Sequence, residues 1–148
     1  MNRKGFTLVE LIIIISIVGI LSIVIIPRIE IGTFKEAADI DSFISNIRYA
    51  QHKSMVTGNK WRFKIINSHY YKIDNDSNDS NKLPQLPAGN NPVKVETSIS
   101  SSGENEIYFD YLGRPLKSNN QLITNQTIIT INSKNIVIEP YSGGVYEQ

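Results

Sequence analysis

Between Phe6 and Ile26 the chain is apolar almost without interruption, and a single carboxylate, Glu10, stands near the start of the run. As a helix these residues would rise about 31 Å, close to the roughly 30 Å hydrocarbon core of a bilayer. Val and Ile dominate, and their modest helix propensity in water matters little where lipid obliges every backbone group to bond within its own segment. A charge at mid-bilayer costs about 2.5 kcal/mol or more, so an acid in such a segment ordinarily has a partner or a task. The first segment is therefore expected to be helical, with a carboxylate whose presence needs a reason.

Arg3 and Lys4 precede the run, which places the N-terminus on the cytoplasmic side and the rest of the chain across the membrane. A secretory signal would have a shorter apolar stretch followed by a small-residue cleavage site. Here Ile25-Ile26-Pro27-Arg28 offers no such site, and the small residue, Gly5, comes before the run. A plain signal anchor explains length and orientation but not a Gly5-Phe6 junction followed by an acid.

The segment Lys4-Gly5-Phe6-Thr7-Leu8-Val9-Glu10-Leu11 resembles the N-terminal signature of type IV pilins and of the pseudopilins of type II secretion. That resemblance implies a membrane prepilin peptidase as partner, cutting after Gly5 and methylating the new N-terminal residue, Phe6. It also implies that Glu10 acts in assembly with other pilins or pseudopilins. Gly19 and Pro27 fall where family members carry helix-softening residues. In low dielectric a Glu10 carboxylate paired with a neighbour's terminal amine is a strong contact. The alternative is a Glu10 that only snorkels to the cytoplasmic headgroups.

Pro27 is expected to kink the helix, because it lacks an amide donor and clashes with the preceding turn. Beyond it Ala37, Ile40, Ile44, Ile47 and Gln51 or Met55 recur at three-and-four spacing, with Phe43 and Ala50 alongside. Lys35, Glu36, Asp39, Asp41, Ser45 and Arg48 form the opposite face, and Gly58-Asn59 ends the pattern. Period two follows: Trp61, Phe63 and Ile65, then Tyr71 and Ile73 after an Asn67-Ser68 turn. Further strands are expected over Val93–Thr97, Glu106–Tyr111, Thr127–Asn132 and Ile136–Glu139, with a turn at Ser133-Lys134-Asn135 and a short strand near Gly144-Val145-Tyr146. The polar stretches 74–91 and 98–105 read as surface loops.

The expectation is thus a leader over 1–5, a long helix over 6–57 of which 6–26 is transmembrane, and a β-rich soluble domain over 58–148. A long helix on an antiparallel sheet is an α+β fold. Setting the helix aside leaves roughly 90 residues, enough for one small core. Removing the leader leaves 13 basic against 14 acidic residues, a balance that argues against a general polyanion-binding surface. With no cysteine there is no disulfide, thiolate metal site or thiol nucleophile.

A narrower resemblance covers the soluble part. Arg48-Tyr49-Ala50, Gly58, Trp61-Arg62-Phe63-Lys64-Ile65, Ile107-Tyr108-Phe109 with Gly113-Arg114-Pro115, and Ile136-Val137-Ile138 with Ser142-Gly143-Gly144 are similar to the H-type minor pseudopilins. Minor pilins of surface pili share the pattern. The resemblance implies a structural subunit that initiates or joins a type II secretion pseudopilus or a type IV pilus, single-pass in the inner membrane with its soluble domain outside the cytoplasm. Lack of a C-terminal cysteine pair departs from many major pilins and counts against the bulk fibre subunit.

Other chemistry is thinner. Asp74-Asn75-Asp76-Ser77-Asn78-Asp79 has early oxygen ligands of a calcium loop, but Asp79 and Gln85 stand where an EF-hand needs glycine and a bidentate glutamate. An Asx-rich turn is the simpler reading. Lys60, Arg62 and Lys64, near Lys53, Lys72 and several tyrosines, could track a nucleic-acid backbone, the DNA-uptake alternative; otherwise they are a lysine-protected strand face. His52 and His69 lack companions at ligand spacing, and no nucleophile elbow or phosphate-cradling glycine loop appears. No catalytic, cofactor or metal residue is expected, and no enzyme.

Overall fold

The computed structural model describes residues 5–25, 31–75 and 83–148. It divides into two compact units, 1–34 and 35–148. Helix α1, Leu8–Ile25, lies in the first. Its described side chains, up to Ser22, are all exposed. Two polar exceptions are satisfied internally: the Ser16 hydroxyl donates to the Ile12 carbonyl at 2.8 Å, and that of Ser22 to the Val18 carbonyl at 2.7 Å. The helix therefore offers apolar surface on every side and no polar face to water. Among the described residues no helix is long and apolar enough to cross a membrane. The 18 residues of α1 rise about 27 Å, slightly short of a bilayer core. The expected span over 6–26 ends at Ile26, and Ile26 and the kink expected at Pro27 both lie outside the described residues.

Helix α2 runs Ile31–Thr57, and from Lys35 onward belongs to the second unit. The residues between α1 and α2, through which the single helix expected over 6–57 would run, lie outside the described residues. On α2, Ile40, Phe43, Ile47 and Ala50 are buried at the expected spacing. Ala37 and Met55 are instead exposed, and the polar Asn46 and Ser54 are buried. Gly58 adopts a left-handed φ of 69° and donates its amide to the Ser54 carbonyl at 3.0 Å, closing the helix. The Ser54 hydroxyl accepts the Trp61 amide at 3.0 Å and donates to the Phe109 carbonyl, passing the chain from helix to sheet.

Among the described residues nine strands follow, in two antiparallel sheets rather than one. They are β1 (Trp61–Asn67), β2 (Tyr70–Asn75), β3 (Val93–Lys94), β4 (Ile99–Ser101), β5 (Glu106–Phe109), β6 (Pro115–Leu116), β7 (Thr127–Ile131), β8 (Lys134–Ile138) and β9 (Val145–Glu147). The first sheet has the order β3-β2-β1-β5-β6 and the second β4-β7-β8-β9. Two strands were not expected, β4 within the stretch read as a loop and β6 beyond Gly113. The β7–β8 hairpin turns at Asn132-Ser133, with Asn132 at φ 56°, so β8 begins at Lys134, inside the turn expected at 133–135.

Register explains the core. Phe63 lies opposite Ile73 and Ile107, and Trp61 opposite Phe109, all pointing to the buried face. Phe43 of α2 meets Phe63 and Tyr71 edge-on, with ring centroids 5.3 and 4.9 Å apart. Burial pushes the Tyr71 hydroxyl up to about 12, and it accepts a hydrogen bond from the Asn46 amide at 2.9 Å. Ile129, Ile131, Ile136 and Ile138 bury the second sheet in the same core.

Candidate assembly site

The N-terminal motif is built around a helix start. Gly5, Phe6 and Thr7 are non-helical, and α1 begins at Leu8. The Thr7 hydroxyl accepts the Glu10 amide at 3.2 Å, while one Glu10 oxygen, Oε2, accepts the Thr7 amide at 3.0 Å and the Thr7 hydroxyl at 2.9 Å. The Leu11 amide donates to the Thr7 carbonyl at 3.2 Å. This is a capping box, in which two residues three apart satisfy each other's orphan amides. Its signal, Thr7-x-x-Glu10 before an apolar run, was visible in the sequence and was missed there.

Three consequences follow from this geometry. The Gly5–Phe6 bond lies in non-helical chain, with open space around Gly5 and Phe6 75% exposed. Cutting that bond would leave the cap intact, because every group in it lies after the cut. The second carboxylate oxygen, Oε1, has no hydrogen-bond partner among the described residues, so Glu10 can accept a further donor without surrendering its cap.

The basic residues of β1 tell a different story. Arg62 donates through Nε and Nη2 to both oxygens of Asp74 at 2.7 Å, and through Nη1 to Glu106 at 2.8 Å and to the Tyr108 hydroxyl at 3.2 Å. Lys72 reaches Asp74 at 2.8 Å and Lys64 reaches Glu106 at 3.4 Å. Lys60 bonds Asn120 at 2.6 Å. Cross-strand register sets these contacts, with Arg62 opposite Asp74 and Tyr108 and Lys64 opposite Glu106. Burial pushes Asp74 up, but the hydrogen bonds from Arg62 and Lys72 outweigh it and hold the carboxyl below its usual range. Arg62 and Lys64, which the sequence offered either as a nucleic-acid track or as a lysine-protected strand face, thus already face carboxylates that sequence alone did not place there.

Of the suggested calcium loop, Asp74 is committed to Arg62 and Lys72, and 76–79 lie outside the described residues. His69 Nδ1 shares a 2.9 Å hydrogen bond with the Ser68 hydroxyl, and His52 is exposed. Among the described residues no group of three or more His, Cys, Asp or Glu could hold a metal ion.

An apolar helix without a polar face, opened by a capped glutamate and followed by an α+β domain, defines a subunit whose first helix must be covered by lipid or by other helices. The prokaryotic N-terminal methylation motif matches residues 1–26. The type IV wide pilus major component PilA4 of Thermus thermophilus is 32% identical over 108 residues, spanning 70% of this chain and 69% of that protein. No solved structure matches. The chain belongs to the type IV pilin family, which is structural rather than enzymatic.

Proposed function

We propose that the chain is a minor pilin or pseudopilin, anchored in the inner membrane by α1, that initiates or joins a type IV pilus or type II secretion pseudopilus. The observation that carries this reading is the helix of 18 residues, apolar on all sides, that begins at Leu8 with Glu10 tied to Thr7 in its first turn. Its modest shortfall against a bilayer core is of the size that local thinning accommodates. A subunit held by such a helix can leave lipid for a bundle of similar helices with little change in apolar burial. Glu10 then accepts the terminal amine of a neighbouring Phe6 through its free oxygen. The similarity of the soluble part to H-type minor pseudopilins supports the minor role.

The test is quantitative mass spectrometry of sheared surface fibres beside the membrane fraction, following the peptide that begins at methylated Phe6. A small ratio of processed chain to the most abundant pilin in fibres supports a minor pilin. Confinement of processed chain to membranes supports a pseudopilin, an equal or dominant share in fibres makes it the bulk subunit, and an intact Met1 terminus removes the reading.

DNA binding during uptake is the second reading, favoured by three cations, Arg62, Lys64 and Lys72, set against two acids, Asp74 and Glu106, on one sheet face, with Lys60 just before β1. Joint Lys60→Glu and Lys64→Glu reversal would abolish retention of the full chain on DNA under that reading. Unchanged retention removes it.

A further inference from the structure

Separate chain reversals of the second unit meet in two places. At one, the Gln51 side-chain amide donates to the Gly113 carbonyl at 2.8 Å and to the Ser142 carbonyl at 2.9 Å, tying the β5–β6 and β8–β9 reversals to α2. At the other, the β4–β5 turn and the segment from β6 to β7 surround a cavity of about 190 Å³. Hydrogen bonds fix both walls. The Ser102 amide donates to the Ile128 carbonyl at 3.0 Å, and the Ser101 hydroxyl accepts the Gly103 amide and donates to the Glu104 carbonyl, both at 3.2 Å. Opposite, the Lys117 amide donates to the Gln121 carbonyl at 2.8 Å and the Ile123 amide to the Pro115 carbonyl at 3.0 Å. The cavity is therefore largely pre-formed, as small-molecule sites usually are.

The lining is polar, and much of it is unused. The Thr127 hydroxyl has no hydrogen-bond partner among the described residues, although the residue is only 2% exposed. A hydroxyl so placed calls for water or a ligand. Gly103 faces it: a Cβ there would lie 3.2 Å from the Thr127 Cγ2 and 3.5 Å from its hydroxyl, so the glycine keeps that corner open. The side chains of Thr124 and Asn125 also line the cavity without a hydrogen-bond partner among the described residues. Lys117 and Glu104 meet at 2.9 Å across it, both partly exposed, and the buried Ile123 supplies the apolar element. Among the described residues no aromatic side chain lines the cavity.

Chemistry selects the ligand. One cation against one acid leaves no net charge, which disfavours phosphates and other ions. Without an aromatic face, a flat base has nothing to stack on. Hydroxyl and amide groups beside one aliphatic side chain suit a neutral molecule that carries several hydroxyls and a C–H face. Size limits it to one ring, since sites for drug-sized ligands run to roughly 300–1,000 Å³. We propose that this cavity binds a single neutral sugar ring. Glu104 accepts from one hydroxyl, Lys117 and the Asn125 amide donate to others, Thr127 bonds at depth, and Ile123 lies under the C–H face. A free sugar and the end residue of a glycan present the same ring. The site uses the second unit alone and stands whether or not the chain joins a filament.

Saturation-transfer NMR on the full-length chain, in a detergent without a sugar headgroup, tests the site. Glucose, galactose, mannose and N-acetylglucosamine are the probes, at the millimolar affinity expected of so small a ligand. Saturation should reach the ring protons of at least one of them. Asn125→Ala and Glu104→Gln should each reduce that transfer severalfold. Asn125 makes no side-chain hydrogen bond among the described residues, so its loss leaves the fold intact, and near-ultraviolet circular dichroism checks both variants. No transfer to any of the four sugars, or equal transfer in the wild-type chain and both variants, overturns the site. Stronger transfer to glucuronate or glucosamine than to glucose overturns its neutral class. The methyl glycoside of the bound sugar separates the sources: retained transfer marks a glycan end, lost transfer marks a free sugar, and both uphold the cavity.

Discussion

Thr7 and Glu10 cap each other at the start of α1, each side chain taking the backbone amide of the other, at 3.2 and 3.0 Å. The glutamate that stands out in the sequence as a charge in an apolar run is thereby already partnered within one chain. Its capping role and its expected assembly role use different oxygens. The prediction is that Glu10→Val permits cleavage at Gly5-Phe6 but impairs incorporation into fibres or methylation, whereas Glu10→Gln retains much of the cap. Mass spectrometry of the processed terminus in fibre and membrane fractions checks it, and normal methylation and incorporation of Glu10→Val would refute the role given to the carboxylate.

Thr7→Val removes the hydroxyl that accepts the Glu10 amide and should weaken the first turn by about 1 kcal/mol, a usual loss for a missing N-cap. Hydrogen exchange at the Glu10 amide should accelerate, with the soluble domain unaffected. Equal protection in both proteins would show that the cap contributes nothing to the helix start.

Arg62 joins β2 to β5 across β1, and its removal leaves Asp74 and Glu106 without their main donor. The Arg62 and Asp74 side chains are 21% and 12% exposed, so solvent screens part of the effect, and Arg62→Met should cost about 1–2 kcal/mol at neutral pH. Thermal unfolding of the full-length chain, followed by near-ultraviolet circular dichroism, measures it.

Acid should act through the same groups. Burial pushes Asp74, Glu106 and Asp110 up, but hydrogen bonds from Arg62 and Lys72, from Tyr108 and Arg62, and from Arg114 respectively bring each below its usual range. A depressed carboxyl contributes its stabilisation in full above its unfolded value of about 4 and loses it as pH falls through the lower folded value. The midpoint of unfolding should therefore hold from neutrality to about pH 5 and decline below about 4, and the decline should be shallower in Arg62→Met. Identical acid profiles would place the sensitivity elsewhere.

Two glycines with nearly equal φ should respond differently to alanine. Gly58, at φ 69°, has open space where a Cβ would go, so Gly58→Ala pays only the left-handed strain of roughly 1–2 kcal/mol. Gly143, at φ 68°, adds collision with the Gly113 carbonyl and the Gln51 amide, so Gly143→Ala should cost about 3 kcal/mol or more. Comparable denaturation midpoints for the two variants would show that the reversal around Gly143 can open to admit a methyl group.

The sequence disclosed what depends on local period. Trp61, Phe63, Tyr71 and Ile73 alternated as strands because their odd positions meet the core, and Ile40, Phe43, Ile47 and Ala50 kept helical spacing for the same reason. It concealed what depends on distant partners. Ser54 and Asn46 read as ordinary polar helix residues, yet they are buried against Phe109, Tyr71 and Ala88. The three-residue β4 and two-residue β6 are too short for any period and exist because β7 and β5 supply their hydrogen bonds. The N-terminal motif was legible because its residues are contiguous. The pairing of Arg62 with Asp74 and Glu106 was not, because strand register had to be known first.

Gln51 fastens two chain reversals with one amide group, and no covalent bond duplicates it. Neither reversal can shift without disturbing the other, and both are tied to the last turns of α2. A push on Tyr141 is therefore delivered to Leu112 and Met55 together, as through the arm of a lever. For a subunit in a fibre under load, two chain reversals joined through one side chain would move as one piece, and the pair of hydrogen bonds that joins them can re-form once the load is released.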